Sequence, residues 1–179
     1  MIKLLIAVQA DGSYDYTGIM CRFSKERKVL RLLDILNSLG ATYRIGEHNS
    51  RDTFRLTLPK SDPIYQFIYY MMPEKVFTWK MLALDCKSLL VFLDELVCWD
   101  GYKDKRSSSW TYFEYCSSIK QNVDVVQAIA HLCLKKATYS LHGASIRLLV
   151  SSKSKTQLRT LTTNTIKYTG KVYCLTVPS

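Results

Sequence analysis

The sequence has no CxxC pair among its six cysteines, only four prolines and seven glycines in 179 residues, and no acidic residue after Asp124. Each shortage excludes something. Cys21, Cys86, Cys98, Cys116, Cys133 and Cys174 are scattered without metal-ligand spacing or a secretory leader, which argues against a zinc site and against a disulfide-stapled secreted domain. They are expected to be reduced core thiols. No Pro- or Gly-rich linker divides the chain, so any two halves should share one core. The apolar run at the N-terminus is broken by Gln9 and Asp11, too soon to span a bilayer. A cytoplasmic location without membrane association is therefore expected. The missing acids leave Lys135, Lys136, Arg147, Lys153, Lys155, Arg159, Lys167 and Lys171 unopposed, eight charges of a net +10. Such a surplus favours a polyanionic partner over an acidic small molecule.

What is present is ample apolar material: 47% hydrophobic and 12% aromatic residues, enough for one compact domain or two small halves packed together, and not a disordered composition. An opening apolar helix ends in Asp11-Gly12. "GIMCRF" (Gly18 to Phe23) reads as a strand, after which Ser24 is expected to cap "KERKVLRLLDILNSLG". Val29, Leu32, Leu36 and Leu39 of that segment share a helical face, and Gly40 stops it. In "TFRLTL", Thr53, Arg55 and Thr57 alternate with Phe54, Leu56 and Leu58, the signature of a strand with one buried face. Asp62 and Pro63 then start the helix "SDPIYQFIYYMM".

The order recurs. "KSLLVFLDELVCWDGY" is a second apolar helix ending in Asp100-Gly101, followed by the strand "SWTYFEYC", the helix "SIKQNVDVVQAIAHLCLKK" and strands around "ATYSL" and "SIRLLV". A period of about 89 residues is too long for a solenoid and suits a pseudo-twofold duplication. A carboxylate at a helix C-terminus meets free carbonyls and partial negative charge, which makes it a poor ion-pair site but a good one for a hard cation.

Leu4 to Gly12, "LLIAVQADG", resembles the motif that names the LAGLIDADG homing endonucleases, and Leu93 to Gly101, "LDELVCWDG", resembles its second copy. The resemblance covers roughly residues 1 to 165. It implies an α+β, pseudo-twofold duplicated αββαββα fold, with two antiparallel sheets forming a saddle around a central pair of motif helices. The halves are expected at 1–79 and 80–167. It further implies a site-specific, metal-dependent double-strand DNA endonuclease in which Asp11 and Asp100 hold Mg²⁺ (or Mn²⁺) at the scissile phosphates and water is the nucleophile. Lys75, ahead of the second motif in "EKVFTWK", stands where the family tends to have a catalytic lysine; Lys80 competes for that role. The chain departs from the motif at Gln9 and Cys98. Trp99 faces the position of Ala10, and Glu95 sits where glycine is common.

Expected DNA contacts are Arg22, Arg44, Arg55 and Arg147 on strand faces, where arginine can read guanine edges, with Thr42, Thr53, Thr57 and Ser145 beside them. Lys103, Lys105, Arg106, Lys153 and Lys155 lie in expected loops and suit phosphate contacts. Tyr69, Tyr70, Tyr112 and Tyr115 are read as core or sheet-face packing rather than a stacking platform. The tail, "TGKVYCLTVPS" within 168–179, resembles the segment leading into an intein's C-terminal splicing block. An intein-derived or free-standing enzyme of the kind carried by phages, acting as a monomer and not splicing by itself, is the expectation, with an intein host protein as a former partner. The alternative is a catalytically inactive nucleic-acid-binding protein on the same scaffold, either an RNA maturase or a DNA-binding regulator.

Overall fold

The computed structural model describes residues 1–47, 54–102, 112–151 and 169. Helix α1 (Ile2–Asp11) is buried on every side over Leu4, Leu5, Ile6, Ala7 and Val8, as a helix at the centre of a molecule must be. It packs against α4 (Cys86–Trp99), whose Leu89, Phe92, Leu93, Leu96 and Trp99 are buried. Asp85 caps α4 by accepting from the Ser88 N–H at 3.0 Å.

Each central helix is followed by strand, helix and then a pair of strands, with an extra strand and helix in the first half among the described residues. After α1 come β1 (Gly12–Tyr14), β2 (Gly18–Phe23), α2 (Glu26–Ser38), β3 (Arg44–Glu47), β4 (Phe54–Pro59) and α3 (Pro63–Met71). After α4 come β5 (Tyr112–Ser117), α5 (Lys120–Leu132), β6 (Lys136–His142) and β7 (Ser145–Ser151). All pairings are antiparallel, in the orders β1-β2-β4-β3 and β5-β7-β6. An isolated bridge from Tyr102 to Glu114 stands where β1 pairs with β2 in the first half. The two antiparallel sheets and the paired helices match the expected fold class.

Alternation sends one face of each sheet inward. Ile19, Cys21, Phe23, Leu56 and Leu58 from the first sheet and Phe113, Tyr115, Ala137, Leu148 and Val150 from the second join one continuous core with the central helices. The register sets Arg22 opposite Arg55, Arg55 opposite Gly46, and Thr57 between Met20 and Arg44 on the outward face. Between the halves, two short 3-10 turns, Pro73–Lys75 and Trp79–Ala83, carry the chain to α4.

Several expectations change. Lys25, not Ser24, occupies the N-cap of α2, and no side chain caps it. The first turn of α2 instead aims its side chains across the molecule, as described below. Among the described residues only Cys21 is a core thiol: Cys86 and Cys116 are exposed and Cys98 and Cys133 half-buried, while Cys174 lies outside the described residues. Tyr69 and Tyr70 are 44% and 61% exposed, because the inward face of α3 is Tyr65, Ile68 and Met71. Tyr115 is buried as expected. Among the described residues, no helix is long and apolar enough to cross a membrane.

Candidate active site between the motif helices

Both Asp-Gly steps are explained by space. The Gly12 N–H donates back to the Val8 carbonyl, and a Cβ at Gly12 would stand 2.7 Å from that oxygen. At Gly101, whose N–H donates to the Leu96 carbonyl at 2.8 Å, a Cβ would stand 2.8 Å from Val97 Cα. Only glycine lets each chain fold so tightly over its own last helical turn. Asp11 ends α1 and Asp100 is the C-cap of α4, so the two acids emerge at the same end of the helix pair.

The structure brings them together through a residue that sequence reasoning missed. Lys28, the third residue of α2, places Nζ 2.5 Å from Asp11 Oδ2 and 3.9 Å from Asp100 Oδ1. The two carboxylates can be no farther apart than those distances laid end to end. Lys28 is 12% exposed, and its ammonium also lies 5.6 Å from the centroid of the Trp99 ring. No motif or spacing could single it out, since one lysine at the start of an amphipathic helix reads as a solvated charge.

Two more basic residues of α2 reach the same end of α4. Arg27 donates to the Cys98 carbonyl at 3.5 Å, and Arg31 grips Glu95 through Nε and NH2 at 2.7 and 2.6 Å. Glu95 is 2% exposed and also accepts the Trp99 indole N–H at 2.7 Å. The glutamate at the glycine position of the motif is therefore the centre of a buried network, and the large Trp99 packs on Phe23 with ring centroids 5.9 Å apart. The bond to Glu95 holds the Arg31 guanidinium above its ordinary pKa.

Lys75 and Lys80 separate. Lys80 lies over the Tyr70 ring, 3.4 Å from its centroid, and Nζ donates to the Tyr70 carbonyl. Lys75 sits within electrostatic reach of the acids, where its charge opposes the upward shifts of both Asp100 and Cys21. It is held there at a backbone cost: Glu74 and Lys75 are consecutive left-handed residues, φ 54° and 64°. Asn122 pins that loop, accepting from the Phe77 N–H at 2.7 Å and donating to the Lys75 carbonyl at 3.3 Å. Asn122 is the third residue of α5, as Lys28 is of α2. One duplicated position thus supplies a charge in one half and a loop anchor in the other.

Burial first, and then the Asp11 charge, push the Asp100 carboxyl above the usual carboxylate range; Lys28 and Lys75 pull it down. Burial drives the Cys21 thiol up to about 12, with Asp11 adding to the shift. Gln9 Oε1 and the Tyr115 hydroxyl are both buried, and the hydroxyl has Gln9 and Ser117 as hydrogen-bonding neighbours. Burial raises the pKa of that hydroxyl, and the Asp100 charge raises it further. Two carboxylates at helix ends, with an ammonium standing between them, fit a divalent cation. Among the described residues no cluster of three or more His, Cys, Asp or Glu exists, so other oxygens must complete its coordination.

In chelator, the raised Asp100 pKa has a sign that can be measured. Just above the ordinary carboxylate pKa the folded protein holds more protons than the unfolded chain, so stability falls as pH rises through that window. Asp100→Asn is expected to flatten this fall and to raise the melting temperature at neutral pH, checked by thermal melts across a pH series.

On the outer strand faces, Arg44, Arg55 and Thr57 line one groove with Thr17 and Gly46, and Arg22 is exposed beside Arg55. Arg147 is committed within the protein, with Nε donating to Glu114 Oε2 at 2.6 Å and NH2 to Oε1. Glu114 stands diagonally across the paired strand, two residues from Cys116, the register partner of Arg147. Lys103, Lys105, Arg106, Lys153, Lys155 and Thr53 lie outside the described residues.

No protein-family model matches the chain. Solved structures do. The I-DmoI complex with DNA and Mn superposes with a TM-score of 0.59 at 12% identity, covering 84% of this chain and 88% of that one. This chain has the LAGLIDADG homing-endonuclease fold. The N-terminal LAGLIDADG domain of DUF199/WhiA gives a TM-score of 0.57 at 15% identity, covering 85% and 74%. Full-length DUF199/WhiA from Thermatoga maritima gives 0.59 at 15%, covering 85% of this chain and 50% of that one. Among curated proteins, the ribonucleoside-diphosphate reductase subunit beta of Aquifex aeolicus is 28% identical over 197 aligned residues. That alignment takes in 98% of this chain and 27% of the reductase subunit, so the chain spans about a quarter of that relative.

Proposed function

We propose that this LAGLIDADG-fold chain is a site-specific, metal-dependent double-strand DNA endonuclease, with Asp11 and Asp100 holding Mg²⁺ or Mn²⁺. The single observation that carries the reading is the meeting of the two Asp-Gly helix ends at one lysine. The chemistry follows from what these residues can do. Asp11 and Asp100 would hold the cation, while Lys28 and Lys75 would supply positive charge for phosphate oxygens. The cation, when bound, would stabilise charge on the attacking and leaving oxygens of an in-line hydrolysis. I-DmoI complexes with DNA and Mg or Mn support the same partner and cofactor class here.

The exposed arginine face of the first sheet is proposed to read the major groove, as one half of the saddle. Arg22→Ala and Arg55→Ala are each expected to weaken binding by about 1–3 kcal/mol and to relax preference at one base pair, as loss of a bidentate guanine contact does. Gel-shift titrations against a randomised half-site would measure both effects. Residues 103, 105, 106, 153 and 155 are proposed phosphate contacts.

The alignment of nearly the whole chain to a quarter of a reductase subunit supports an intein-like origin inside a longer host protein. A monomer, acting in the cytoplasm and carried by a phage or a bacterial genome, fits that origin. The test is direct. Pure protein with Mg²⁺ and DNA from an uninterrupted copy of its host locus should yield one discrete double-strand cut. Tight binding with no cut under any divalent metal would establish the second reading, a non-cleaving nucleic-acid-binding protein. One observation favours that alternative: the ammonium already neutralising the acid pair.

A further inference from the structure

We infer that Lys28 is a tethered counter-ion, a built-in cation that occupies the space between Asp11 and Asp100 in the free protein and must be displaced before a divalent metal can enter. The inference rests on the metal-site reading of the two acids and adds a control on its loading. Two partly buried carboxylates at the ends of adjacent helices repel each other and face the negative ends of both helix dipoles, so something positive must compensate them. Lys28 Nζ is 2.5 Å from one acid and 3.9 Å from the other, on a side chain only 12% exposed, so its position is that of a bridging cation.

The lysine is also built into place. Its ammonium lies near the Trp99 ring, Trp99 is hydrogen-bonded to Glu95, and Glu95 is gripped by Arg31, one turn beyond Lys28 on the same helix. That circuit fixes α2 against α4 and so sets the ammonium at the acids in the free protein. The duplicated position carries Asn122, which faces a loop carbonyl and a loop N–H instead of an acid, so nothing in the shared fold requires a lysine here. A metal entering the free protein competes with an ion pair intermediate between exposed and buried ones, and its apparent affinity falls by the strength of that pair.

The test is calorimetric titration of Mn²⁺ into the full chain, wild type against Lys28→Met and Lys28→Gln, with thermal melts in chelator. Both variants should bind Mn²⁺ about tenfold more tightly than wild type, and both should melt lower in chelator and recover with Mn²⁺. Adding Asp11→Asn to either variant should remove the gain. Equal or weaker Mn²⁺ binding by the variants overturns the counter-ion assignment while leaving the metal site standing. Absence of Mn²⁺ binding from all three proteins overturns both. If the variants are unfolded in chelator, refolding on Mn²⁺ addition supports the assignment and failure to refold overturns it.

Discussion

Asp11→Asn and Asp100→Asn are each expected to abolish strand cleavage, by at least about 10³-fold, while leaving DNA binding within a few-fold of wild type. The asparagine keeps the size and the helix-ending geometry that Gly12 and Gly101 demand, so the fold should survive. What disappears is one of the two anionic ligands for the cation, and with it several kcal/mol of charge stabilisation. Asp100→Asn should at the same time make the metal-free protein more stable, since a carboxylate whose pKa is raised by burial and by Asp11 is a destabilising group when ionised. A variant that melts higher yet cuts nothing would identify Asp100 as a residue retained for chemistry at the expense of stability. Single-turnover cleavage of plasmid and linear substrates, read alongside melts, checks both halves of the expectation. Undiminished cutting by the double variant would remove these acids from the mechanism.

Glu95→Ala is expected to destabilise the helix interface measurably. Glu95 is 2% exposed and satisfies three donors: Arg31 Nε, Arg31 NH2 and the Trp99 indole N–H. Removing it leaves the indole N–H partly buried without a partner and returns a 38%-exposed guanidinium to water, which costs about 1–3 kcal/mol. For a chain of this size that corresponds to a melting point lower by roughly 5 °C. The second variant, Arg31→Met with Glu95→Leu, removes both charges together and should recover most of the loss, because a buried pair contributes less than its broken half costs. Thermal melts of Arg31→Met, Glu95→Leu and the double, treated as a cycle, measure the coupling. A loss under about 1 kcal/mol for Glu95→Ala would show that water satisfies the network as well as the carboxylate does.

The two kinds of residue in these expectations were not equally visible in the sequence. Asp11 and Asp100 could be read because helix periodicity, a terminal acid and a glycine with no room for a Cβ are local properties, repeated at one spacing. Arg22, Arg44 and Arg55 could be placed outward because a strand alternates by two, whatever it packs against. Ser24 misled for the opposite reason. A hydroxyl before a helix suggests a cap, but where the helix starts is decided by what its first turn meets, and here Arg27, Lys28 and Arg31 meet α4.

Glu95 and Trp99 were legible only as departures from a motif, without a partner to explain them. Arg147 was readable as outward-facing, yet its attachment to Glu114 depends on the pairing of β5 with β7, about 30 residues away in the chain. Lys75 and Lys80, indistinguishable in a basic loop, were separated by a left-handed backbone and by Asn122 from the other half.

The sequence by itself determined the repeat, the central apolar helices, their acidic ends and the polar outer strand faces, all of which follow from interactions within a few residues or from a fixed period. Tertiary structure alone decided that Lys28 stands between the two acids, that Glu95 is locked by Arg31, and which connector lysine approaches the site. The reason is physical: electrostatic energy depends on distance through space and on burial, and neither quantity is encoded in the separation of residues along the chain.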